Sequence, residues 1–108
     1  VIILTGAGER AFCSGMDMKE AAEVGPGSGL IPGRGFGGIT ERRRTKPLVA
    51  AINGAAVAGG FEIALACDIV IAADHAIFGL AELNAACSPS PAGFSAWPAW
   101  FPARPRSP

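Results

Sequence analysis

No excess of charge of either sign marks this 108-residue sequence, in which nine Lys and Arg balance nine Asp and Glu. Without a net field, nothing draws the chain to nucleic acid or to an anionic membrane surface. Long apolar runs are missing too: each is interrupted by polar residues before membrane-spanning length, and no signal peptide is visible. Cysteine is scarce and odd in number. Cys13, Cys67 and Cys87 have neither the pairing of a disulfide framework nor the spacing of a zinc site, so no metal is expected and a reducing cytoplasm is the simplest setting. Histidine is scarcer still: His75, in "AADHAIF", has no Ser or Cys partner in an elbow motif and reads as a turn residue. Ser14 in "FCSG" lacks the G-x-S-x-G frame, and Cys13 beside it reads as a packed thiol. Neither carries nucleophilic catalysis.

What is present suits one small domain with a packed core, since 50% of the residues are apolar. The chain opens without Met, inside the strand-like run "VIILT", which reads as a fragment. That run is β-branched and apolar, as expected of a buried parallel strand ending at Gly6. "GAGERAFCSG" reads as a loop, and Asp17 as the cap of a helix through "MKEAAEV". The Gly- and Pro-rich "GPGSGLIPGRGFGG" reads as a surface loop, and "ITERRRT" as a short helix. "LVAAING" is expected to be a second buried strand turning at Asn53-Gly54, followed by a helix from about Gly59 to Cys67. "DIVIAAD" and "AIFGLAE", ending at Glu82, complete the pattern. Strands alternating with helices predict an α/β fold with buried parallel strands.

Gly33, Gly35 and Gly38 satisfy G-x-G-x-x-G, the dinucleotide fingerprint, but the preceding strand and following helix are missing, so the motif is rejected. Arg42, Arg43 and Arg44 read as a solvated face, with contact to a phosphate-bearing cofactor or a partner subunit as the minority reading. The stretch "AGGFEIALACD" carries more. Backbone N–H groups in the first turn of a helix have no internal partner, glycine permits close approach, and an oxyanion placed there is stabilised. Glu62 lies in that first turn, where the plain alternative is a carboxylate favoured by the helix dipole. Glu82 follows the apolar "FGLA"; a strand folding back could bring it to the same pocket as Glu62, the alternative being a solvated loop residue.

"LTGAGERAFCSGMDMKE" and "KPLVAAINGAAVAGGFEIALACDIVIAADHAIFGLAE", in that order, resemble the enoyl-CoA hydratase/isomerase (crotonase) superfamily over roughly residues 1 to 84. The resemblance implies a partial crotonase fold of repeated ββα units, truncated at both ends, that binds an acyl-CoA thioester. CoA is then part of the substrate and no separate cofactor is implied. It places the two oxyanion N–H groups on Met16 and Gly59 and the catalytic carboxylates on Glu62 and Glu82. Asp17 and Met18 fall near the CoA moiety, with Lys19 near its phosphates. Keeping both glutamates favours a hydro-lyase, one activating water for attack at C3 and the other delivering a proton to C2. An isomerase needs only one. "GFGGITERRRTKP" resembles the carnitinyl-CoA dehydratase branch. A non-catalytic acyl-CoA binding module and a non-functional gene fragment are the readings from other classes. Longer relatives are expected to form homotrimers or dimers of trimers.

Residues 85–108 differ in character. They hold six of the nine prolines and both tryptophans but no Leu, Ile, Val or acidic residue, and read as an irregular tail. Restoring one upstream base in a GC-rich back-translation of "AACSPSPAGFSAWPAWFP" gives "RGLFPIAGGILRLARMVP", a family-like continuation. A frameshift from about Ala85 is therefore expected, and with it weak or absent activity and an aggregation-prone tail.

Overall fold

A computed structural model describes residues 1–25 and 27–80. Glu82, Cys87 and the tail from Ala85 onward, with the expectations attached to them, lie outside the described residues.

Among the described residues, eight strands and two helices follow one another as β1 (Ile2–Thr5), β2 (Ala11–Cys13), α1 (Met18–Val24), β3 (Leu30–Ile31), β4 (Gly35–Phe36), β5 (Leu48–Ile52), β6 (Ala55–Val57), α2 (Gly59–Ala66), β7 (Ile69–Ala72) and β8 (Ile77–Gly79). Apart from the β3–β4 pair, successive strands are dealt alternately to two parallel sheets, β1-β5-β7 and β2-β6-β8. Each repeat thus lays one strand on each sheet, and in the first two repeats a helix, α1 or α2, follows them. This is the repeated ββα arrangement, and the α/β class is as expected. In the first sheet Leu4 pairs with Ala50 and Ala50 with Val70; in the second, Ala56 pairs with Cys13 and Phe78.

The core lies between the layers and is built from small residues. Strand β5 alternates in burial, with Leu48, Ala50 and Ile52 inward. Ala50, Ile52, Ala56 and Ala64 form one buried cluster, and the alanines let β5, β6 and α2 approach closely. A second cluster joins Phe36 to Ile63, with Leu4, Phe12, Cys13 and Ile39 around it.

The corners between paired strands are stacked and bonded to one another. Asn53, in the second corner, accepts at Oδ1 from the Gly6 N–H (2.9 Å). Its Nδ2 donates to the carbonyls of Gly8 (2.7 Å) and Ala11 (3.1 Å) in the first corner. In the third corner, His75 Nε2 lies 2.9 Å from the Asn53 carbonyl and 3.2 Å from that of Glu9. Both neighbours are acceptors, so this nitrogen carries the proton. His75 is a turn residue, as read, and it ties three repeats together.

Several local expectations are corrected. "VIILT" forms a parallel strand but is not buried: Ile3 is 67% exposed. Strand β2 lies within the stretch read as a loop, because three residues are too few to show a period. Strand β6, equally short, was not foreseen either. The Gly-rich stretch contains the antiparallel β3–β4 hairpin, and its Phe36 is buried. "ITERRRT" forms turns, not a helix. Asp17 does cap α1, accepting from Lys19 N–H at 2.9 Å and Glu20 N–H at 3.3 Å.

Candidate active site

Strand β6 passes into α2 through Ala58, whose backbone (φ 51°, ψ −128°) is the one positive-φ conformation of a non-glycine among the described residues. These angles are close to the first central position of a type II′ turn, a place that favours glycine. Such a residue costs on the order of 1–3 kcal/mol and persists only when its surroundings hold it. Here they do. Ala58 N–H donates to the Gly79 carbonyl at 2.8 Å, and the Ala58 carbonyl accepts from Phe61 N–H (3.0 Å) and Glu62 N–H (3.2 Å). After this bend the Gly59 nitrogen lies against Gly15, in the loop after β2.

The two segments meet at glycines. A Cβ on Gly15 would lie 2.9 Å from the Gly59 nitrogen and 3.2 Å from the Ala58 Cβ. Gly15 itself has φ 99°, which further excludes a side chain there. On the helix side, a Cβ on Gly59 would press into the Phe36 ring, and one on Gly60 would overlap the Cys13 carbonyl. The sequence Gly59-Gly60 therefore lets the positive end of α2 sit directly against β2 and its following loop. Met16 follows Gly15 in that loop and is 40% exposed. Among the described residues, neither the Met16 nor the Gly59 amide donates to a backbone carbonyl. Gly15, the residue before Met16, thus packs against the Gly59 nitrogen at the head of α2.

Glu62 lies in the first turn of α2 and is 1% exposed, with Ile52 one of the two largest fully buried side chains among the described residues. The structure brings Gly15, Gly59 and Glu62 to one corner of the fold. Asp17 spends its carboxylate on capping α1, while Met18 and Lys19 are exposed on the first turn of that helix, next to Met16. Whether Glu82 reaches Glu62 falls outside the described residues.

A family profile described as "Enoyl-CoA hydratase/isomerase" matches residues 1–102. The chain belongs to the enoyl-CoA hydratase/isomerase family. A carnitinyl-CoA dehydratase of Salmonella arizonae is 47% identical over 104 residues, a match covering 94% of this chain and 40% of the relative. That of Proteus mirabilis is 46% identical over 103 residues, with the same coverage. Among solved structures, an enoyl-CoA hydratase from Mycobacterium marinum superposes with a TM-score of 0.72 at 46% identity, over 82% of this chain and 33% of its own. A carnitinyl-CoA dehydratase from Mycobacterium avium gives 0.70 at 42%, over 77% and 33%. The chain thus spans about two-fifths of the length of the curated relatives it matches. These relatives are enzymes acting on acyl-CoA compounds by name, and the fold seen here is the fold they share.

The basic run divides in this family member. Arg42 and Arg43 are exposed, as expected of a solvated face. Arg44 is not: its Nη2 donates to the Ala66 carbonyl at 2.8 Å, at the end of α2, and pairs with Asp68 at 3.5 Å. Asp68 in turn accepts from Leu48 N–H at 2.7 Å, at the start of β5. That backbone bond first, and Arg44 after it, hold the Asp68 carboxyl below its ordinary range. Burial pushes the neighbouring Cys67 thiol up, and its Sγ donates to the Ile63 carbonyl at 3.3 Å. A cavity of about 350 Å³ lies between the basic run and Ile2, Leu4, Ile39 and Leu48. None of the glycine-corner residues lines it, and it is separate from the chemistry proposed below. Ala58 and Phe36 were invisible to motif reading. Neither carried a signal: the Ala58 bend is imposed by packing, and the partners of Phe36 are distant in sequence.

Proposed function

We propose that this chain carries the acyl-CoA thioester site of an enoyl-CoA hydratase-type hydro-lyase, which adds water across the C2–C3 double bond. The observation behind this reading is the approach of Gly15 to the Gly59 nitrogen at the positive end of α2, and in this reading the Met16 and Gly59 amides face one thioester oxygen. A thioester oxygen between them gains the most when it becomes an enolate oxygen. Glu62 stands on the same turn and moves a proton: either it takes one from the water that attacks C3, or it gives one to C2. Glu82 performs the complementary transfer. Asp17, Met18 and Lys19 border the CoA portion, with Lys19 towards its phosphates. The longer protein is read as a cytoplasmic homotrimer or dimer of trimers that binds no nucleic acid or membrane. Among the described residues no helix is long and apolar enough to cross a membrane.

Carnitinyl-CoA dehydration is the second reading, favoured by relatives of that name at 45–47% identity. Competition between crotonyl-CoA and crotonobetainyl-CoA separates the two, the trimethylammonium group strengthening binding only in the second. The first test is titration of the 108-residue chain with crotonyl-CoA and with a thioether analogue that lacks the carbonyl. Tighter binding of the thioester is the expected result, with weak turnover or none. Equal binding of the two would remove the oxyanion role. A measurable hydration rate lost in Glu62→Gln would overturn the expectation of weak activity. A CoA-ester binder without turnover, even at full length, would be a binding module instead.

A further inference from the structure

The strained turn at Ala58 has a counterpart in the elbow that displays a nucleophile between a strand and a helix. Here the bent residue is alanine and has nothing reactive to display. What the bend presents is the next amide. Ala58 is fastened at both ends: its N–H donates to the Gly79 carbonyl of β8 at 2.8 Å, and its carbonyl accepts from Phe61 and Glu62 at 3.0 and 3.2 Å. The Ala58 methyl also faces Gly15, since a Cβ built there would lie 3.2 Å away. The bend therefore relates three things rigidly: the third repeat, the first turn bearing Glu62, and the glycine loop bearing Met16.

We propose that Ala58 is a positioning residue, whose strained backbone fixes the direction of the Gly59 N–H relative to the loop at Gly15 and to Glu62. This inference rests on the oxyanion reading of Gly59. Glycine would satisfy the same angles with less strain, but it would also admit other conformations and free the amide to turn. A rigid donor aimed before the charge forms is worth more than one that must reorganise. The alanine side chain thus exchanges local stability for a fixed donor.

The test is Ala58→Gly in the 108-residue chain, read by three measurements: the thermal midpoint, the affinity for a chromophoric cinnamoyl-CoA thioester, and the red shift of that thioester on binding. The red shift reports polarisation of the carbonyl. The expected result is a midpoint equal to or above that of the parent, an affinity within about threefold, and a red shift reduced by half or more. A full red shift in Ala58→Gly would overturn the inference and leave the oxyanion reading standing. A midpoint that falls together with affinity and red shift would also overturn it, because Ala58 would then serve packing alone. If the parent chain binds the thioester with no red shift, the oxyanion reading fails first, and the two failures are thereby told apart.

Discussion

Gly60 shows how little freedom a single position has here. Any Cβ at Gly60 overlaps the Cys13 carbonyl, a backbone atom that cannot rotate aside. Gly60→Ala is expected to destabilise the chain by about 1–3 kcal/mol, by forcing α2 away from β2. Denaturant unfolding checks this, and an unchanged midpoint would show that the helix can shift freely. The close approach at the glycines and the burial of Glu62 were legible in the sequence, where two glycines precede a carboxylate in an apolar run. The bend at Ala58 was not legible. An alanine with positive φ has no sequence mark, since only the packing of β8 and the loop after β2 imposes it. Glu62 is buried to 1% exposure, which the apolar run around it suggested, whereas the exposure of Ile3 contradicts an equally apolar run.

At the scale of elements, the two helices and the corners depend on a few polar side chains. Arg44 closes the end of α2 through the Ala66 carbonyl and holds Asp68 against the start of β5. Arg44→Ala is expected to cost about 2 kcal/mol in unfolding free energy, since it removes a charged hydrogen bond and leaves the helix end open. His75 ties the corners. The Glu9 carbonyl first, then the Asn53 carbonyl and Asp74, raise its pKa above 6.5. A raised folded value means that its contribution is fully present below about pH 6.5 and is lost as pH rises through the folded value. Thermal midpoints measured from about pH 5 to about pH 8 should therefore fall as His75 loses its charge, and His75→Gln should flatten that part of the profile. An identical pH profile in His75→Gln would contradict the clamp. The sequence marked Asn53-Gly54 as a turn, but stacking of the three corners depends on register between distant strands. Strands of three residues, such as β2 and β6, carry too few positions for alternation to show.

At the scale of the whole molecule, the described residues include exposed apolar side chains on the edge strands. Ile69, Val70 and Ile71 of β7 are each 45% exposed or more, and Ile77 and Phe78 of β8 add to them. Edge strands of this composition associate. Sedimentation of the 108-residue chain should show mass rising with concentration above 10.9 kDa, and Ile71→Lys should shift it back towards the monomer. A monomer at all concentrations would contradict this. The family match runs to residue 102, past the proposed change of frame near Ala85, and the coding DNA decides whether that segment is in frame. In the proposed function, the Gly59 and Met16 amides together polarise a thioester carbonyl. The most direct measurement is the carbon-13 chemical shift of carbonyl-labelled crotonyl-CoA bound to the parent chain and to Gly15→Ala, whose Cβ would lie 2.9 Å from the Gly59 nitrogen. A downfield carbonyl shift is expected with the parent and is expected to disappear in Gly15→Ala; a shift that is absent in the parent, or that survives the substitution, would contradict the oxyanion role.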